Sequence, residues 1–190
     1  MILVGSRAIS WLVNGVSGIT SGAYRPTLDW DFISTQSEYD KFKKLCSDNV
    51  IFEKDTKFGK LLLVNGLGPV EIELIEKTGS REIYAYNSNI NFTSVEKINK
   101  VVGETYIFNI GDINILYLLK MSHRFLKNSP HFLKTMNDIK YLRSHNAQIP
   151  GILQSDYKKR QKFTYDYAHP ILNKKKVDFF ENNQEGYKTQ

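Results

Sequence analysis

A mixed α/β fold of the α+β kind, a β-sheet core with flanking helices, is what this 190-residue sequence predicts. Three observations carry that expectation. Short apolar runs of strand length, "ILV", "DWDFI", "KLLLV" and "VEIELIE", recur through the first half of the chain. Segments with apolar residues at helical spacing lie between them and dominate after Gly111. Hydrophobic residues make up 41% of the chain, enough for one real core and a small second lobe. The organisation that follows is an α/β core over 1–110, a helical lobe over 111–147 and a basic, aromatic-rich extension over 148–190.

The elements follow in order. "ILV" (2–4) reads as a buried strand that runs directly into Gly5-Ser6. "AISWLVN" (8–14) predicts a short helix, and three glycines with a proline between 8 and 28 predict a long loop after it. "DWDFI" (29–33) is the next strand. Tyr39, Phe42, Leu45 and Cys46 fall at helical spacing, so a helix follows, with Ser37 as its expected cap. "VIFEK", "KLLLV" and "VEIELIE" read as strands, the last two joined by the turn signal "NGLGP". "REIYAYN" (81–87) and "ETYIFNI" (104–110) are expected as strands, with a helical piece at "SVEKINKV". Asp112 then caps one helix, and Ser129 with Pro130 opens a second. The apolar face of the second is Phe132, Leu133, Met136, Ile139 and Leu142.

Charge narrows the function classes. The formal net charge is +6, compatible with a polyanionic partner. Between residues 116 and 145 the bases Lys120, Arg124, Lys127, Lys134, Lys140 and Arg143 face a single acid, Asp138. No apolar run reaches membrane-spanning length and no secretory signal pattern opens the chain, so no membrane role is expected. The one cysteine, Cys46, fits a reducing, cytoplasmic setting and reads as a buried, inert thiol. The four histidines, with no cysteine near them, do not suggest a zinc site. In the extension, Lys158, Lys159, Arg160 and Lys162 interleave with Tyr157, Phe163, Tyr165 and Tyr167. That pattern suits single-stranded nucleic acid, or tyrosines packing on the protein with lysines in water.

Three features of the first lobe fit together. Gly5-Ser6 ends a strand, where a glycine lets a ligand approach the backbone and turn amides can hold phosphate oxygens. Asp29 and Asp31 share one face of the next strand, a hard-oxygen pair suited to Mg²⁺, although such a pair taken alone reads as a solvent-facing strand. "VEIELIE" sets Glu71 and Glu73 on one face against Val70, Ile72 and Leu74 on the other, which is also plain amphipathic alternation.

In that order, "VGSRA", "LDWDFI" and "VEIELI" resemble the nucleotidyltransferase superfamily, the DNA polymerase beta-like fold, in its small bacterial and viral form. The resemblance implies that Gly5 and Ser6, with Arg7, meet the nucleotide triphosphate. Asp29, Asp31 and a third acid would hold Mg²⁺ or Mn²⁺; that acid is Glu73, with Glu71 the alternative. The helices after Gly111 look like those that follow the catalytic sheet in such enzymes, and Lys120 and Lys134 take the place of residues that offset leaving-group charge. The implied reaction moves a nucleoside monophosphate from an NTP to a hydroxyl of RNA (a tRNA end among them), of a protein or of a small molecule, and releases pyrophosphate. The stretch between Gly5 and Asp29 is longer than in compact members, and the chain begins at the first catalytic strand, which leaves room for a homo-oligomer or a partner subunit. The alternative is a non-catalytic nucleic-acid or partner-binding protein that keeps the fold.

Overall fold

Strand β1 (Ile2–Val4) is buried along its whole length and passes without a loop into helix α1 (Gly5–Asn14), three residues earlier than "AISWLVN" suggests. The computed structural model describes residues 1–14, 27–88, 94–96, 107–123 and 132–168. The loop expected between α1 and the next strand, the Ser129 cap and the end of the basic extension lie outside those residues. Two compact units divide the chain, Met1–Leu116 and Tyr117–Gln190.

In the first unit, β2 (Trp30–Ser34) is followed by α2 (Gln36–Leu45), β3 (Val50–Asp55), β4 (Gly59–Val64) and β5 (Gly68–Leu74). After β5 come α3 (Ile75–Thr78), α4 (Arg81–Ser88), β6 (Ser94–Glu96) and β7 (Ile107–Ile110). The described strands form one mixed sheet in the order β3-β4-β5-β2-β1-β7-β6. β2 runs antiparallel to β1 and parallel to β5, while β3, β4 and β5 make an antiparallel meander through the predicted hairpin.

One face of this sheet carries an aromatic core. Trp30 and Phe32 of β2 stack at 6.2 Å, Phe32 meets Phe108 edge-on at 5.3 Å, and Phe42 of α2 closes over Phe32 at 6.2 Å. Trp11 from α1 packs edge-on against Trp30 at 5.6 Å. Fully buried Phe-sized side chains contribute about 1.5–3 kcal/mol each, so this cluster anchors β2 rigidly. Because successive strand residues alternate, the same packing turns Asp31 to the opposite face.

Three local expectations are corrected. The cap of α2 is Thr35, not Ser37: Thr35 Oγ1 accepts from the Glu38 amide at 3.2 Å, and Glu38 accepts from the Thr35 amide at 3.0 Å. That reciprocal box satisfies two amide donors at once, which Ser37 could not do from inside the first turn. "REIYAYN" is helical, because Gly79 in the left-handed region redirects the chain and Ile83 and Asn87, four apart, share one buried face. Ser94–Glu96 is a strand rather than a helix start: its ladder with Ile107–Asn109 overrides local helical spacing. Past Gly151 the extension, whose form the sequence left open, begins with helix α7 (Gln154–Ala168).

Helix α5 (Ile113–Ser122) opens as expected, with Asp112 Oδ1 accepting from the Asn114 amide at 2.9 Å. In the second unit α6 (Phe132–Ser144) buries Met136, Ile139 and Leu142, and α7 buries Asp156, Tyr157 and Arg160 on one side. Lys158, Lys159, Lys162 and Phe163 lie on the exposed side of α7. No helix among the described residues is long and apolar enough to cross a membrane.

Candidate active site

Gly5 is the pivot of the site. Its φ of +72° lets β1 turn at once into α1, a conformation that a side chain would strain. Space makes a second demand. A Cβ on Gly5 would stand 2.0 Å from Asp31 Oδ2 and 2.8 Å from its Cγ, so the Asp31 carboxylate rests directly on the glycine. Ser6 is buried beside it, 3% exposed, in the first turn of a helix that has no acidic side chain there. The exposed amides of such a turn favour an anion.

Arg7, one residue on, reaches the other acid's backbone. Its Nε donates to the Asp29 carbonyl at 3.0 Å and its Nη2 to the Thr27 carbonyl at 2.9 Å. The guanidinium lies over the Trp30 ring, 4.0 Å from its centroid. Burial lowers the Arg7 pKa from its ordinary value, while Asp29 and Asp31 pull it back up, so a retained positive charge sits beside the two acids.

Sheet register decides what else faces Asp31. Val4 pairs with Asp31 on one side, and Glu71 pairs with Asp31 on the other. Neighbouring strands lie about 4.8 Å apart, so Asp31 and Glu71 are side by side on one face. Glu71 is exposed, while Val70 and Ile72 on either side of it are wholly buried on the opposite face. Glu73 stands two pairs further along, on the same face, opposite buried Ile33. Its Oε1 accepts from Thr78 Oγ1 at 2.8 Å and from buried Ser80 Oγ at 2.5 Å. Sequence reasoning missed Thr78 and Ser80; the signal was a hydroxyl pair flanking Gly79, at the end of α3 and before α4.

The two lysines belong to the second unit. Lys120 of α5 is ion-paired at 2.7 Å with Asp138 of α6, whose side chain is wholly buried. Lys134 lies half-buried on α6. The Tyr117 hydroxyl accepts from Arg143 Nε at 2.9 Å in the same helical pair. The Lys120–Asp138 pair therefore ties α5 to α6.

Carboxylates are the hard oxygen donors that Mg²⁺ or Mn²⁺ selects, so Asp29, Asp31 and Glu71 fit such an ion by chemistry. Among the described residues no group of three His, Cys, Asp or Glu side chains is already gathered to hold one. A family model described as Domain of unknown function (DUF7275) matches residues 115–190, less than half of the chain. That span begins two residues before the second unit, and Gly5, Asp29, Asp31 and Glu71 lie outside it. No curated protein matches the chain.

Proposed function

We propose that this protein is a nucleotidyltransferase whose reacting centre is the row Gly5, Asp31 and Glu71 with Asp29 at its edge. The observation that carries the reading is the seating of the Asp31 carboxylate on Gly5, with Glu71 in register beside it. Gly5, Asp31 and Glu71 lie far apart in sequence, and an amphipathic strand with scattered acids would not require Asp31 to rest on the one and stand in register with the other. Glu71 is favoured over Glu73 as the third acid, because Glu73 is held by Thr78 and Ser80 while Glu71 faces outward next to Asp31.

The chain's own residues supply the following parts. Gly5 offers a backbone free of side chain, and the first amides of α1 offer donors for phosphate oxygens. Asp29, Asp31 and Glu71 would hold Mg²⁺ or Mn²⁺, which when bound lowers the pKa of an attacking hydroxyl and neutralises phosphate charge. The acceptor oxygen bonds to the α-phosphorus, the bond to the bridging oxygen breaks, and pyrophosphate departs with that electron pair. Glu71, exposed and in register beside Asp31, would take the hydroxyl proton.

RNA is the acceptor class to test first, given the basic surplus over residues 116–145 and the exposed Lys158, Lys159 and Lys162 with Phe163 on α7. Lys120, paired with buried Asp138, is better read as structural than as a phosphate ligand. A single cysteine makes no internal disulfide, which suits a reducing, cytoplasmic setting. A second reading, a binding protein that keeps the fold without activity, is favoured by one observation: Arg7 already supplies positive charge beside both acids.

Incubation with each α-labelled NTP, Mg²⁺ or Mn²⁺, and mixed RNA and protein acceptors separates the two. The enzyme reading expects label on one acceptor class and none with Asp29→Asn/Asp31→Asn. Absence of label for every nucleotide leaves the binding-protein reading in possession.

A further inference from the structure

We propose that Arg7 is a positioning residue that sets Asp29 for metal binding, rather than a ligand for the nucleotide. The inference rests on the nucleotidyltransferase reading above. Its geometry is a two-point clamp from one helical turn: Gly5 seats the second acid by lacking a side chain, and Arg7 seats the first by gripping its backbone.

Asp29 precedes β2, so the ladder that fixes Asp31 from both sides does not fix it. The bonds from Arg7 fall on either side of that gap, at the carbonyls of Thr27 and Asp29. Nε and Nη2 lie on one edge of a planar guanidinium, so a single rigid fork spans both carbonyls, and stacking on Trp30 holds the fork in plane. Trp30 is itself locked in the aromatic core, with its Nε1 donating to the Leu67 carbonyl at 3.2 Å. The chain from the core through Trp30 and Arg7 to Asp29 is thus continuous. A lysine would keep the charge and lose the fork. That difference separates positioning from simple charge neutralisation.

The test uses the full chain as wild type, Arg7→Lys, Arg7→Met and Asp29→Asn, with two readouts. Free Mn²⁺ measured by electron paramagnetic resonance gives metal affinity without turnover. Hydrogen exchange over residues 27–31 reports the clamp, with β4–β5 as the internal check that the sheet is intact. Positioning expects Arg7→Lys to bind Mn²⁺ about tenfold more weakly, as removal of a group that orients a metal ligand does, and to exchange faster over 27–31 alone. Arg7→Met should behave like Arg7→Lys. Wild-type affinity in Arg7→Lys, or unchanged exchange over 27–31, overturns the inference and leaves the metal site standing. No Mn²⁺ binding by the wild type overturns the metal reading, and this role falls with it.

Discussion

At Gly5 two separate demands fall on one residue, a left-handed backbone and room for the Asp31 carboxylate. Gly5→Ala should therefore lower stability by about 1–3 kcal/mol through backbone strain, measured as a shift in the denaturant midpoint, and should displace Asp31 and remove the proposed nucleotidyl transfer. Sequence alone suggested the glycine as a ligand-approach point; its contact with Asp31 needed the antiparallel pairing of Val4 with Asp31. The choice between Glu71 and Glu73 was illegible for the same reason. Both acids share a strand face, and only register and the hydroxyls of Thr78 and Ser80 tell them apart. Cys46, in contrast, was fully readable from its helical spacing with Tyr39 and Phe42, and it is buried. At pH 8 it should resist Ellman's reagent in the folded protein and react at once in denaturant.

At the scale of elements, β-runs with strong alternation were legible, while short pieces whose state depends on a partner were not. β5 announces itself because Val70, Ile72 and Leu74 must be buried. Ser94–Glu96 carries no such demand and takes its form from β7. The α2–β3–β4 corner gives a pH prediction. Glu53 accepts hydrogen bonds from Lys43 and Tyr39, and these hold its carboxyl below the usual range. Burial, and then the Glu53 carboxylate, push the Tyr39 hydroxyl up. The two contributions have opposite signs. That of Glu53 is present above the carboxylate's unfolded value of about 4.3 and is lost as pH falls through its lower folded value. That of Tyr39 is present below about pH 10 and is lost as pH rises through its higher folded value. Tyr39→Phe should therefore flatten the alkaline limb of a stability–pH profile, read by urea melts. The α5–α6 pair offers a separate test. Lys120→Met breaks the 2.7 Å ion pair of a buried carboxylate and should cost up to about 3–5 kcal/mol, visible by circular dichroism melting. A nucleotide-binding lysine would instead show normal stability and weakened NTP binding.

At the scale of the whole molecule, the chain combines a sheet unit that carries the candidate site with a helical unit whose span the matched family model nearly reproduces. The mixed α/β class was legible because strand-length and helix-length periods segregate along the chain. The boundary was not, because the middle of α5 is continuously apolar: Ile115 to Leu119 are all buried, and no glycine, proline or polar break marks Leu116. The reacting centre proposed here lies wholly within the first unit, so its test can be made there residue by residue. Transfer of label from an α-labelled NTP, with Mg²⁺ and an RNA pool, should be compared for wild type, Glu71→Gln and Glu73→Gln. Label is expected with wild type and Glu73→Gln and none with Glu71→Gln. Undiminished transfer by Glu71→Gln would contradict the choice of Glu71.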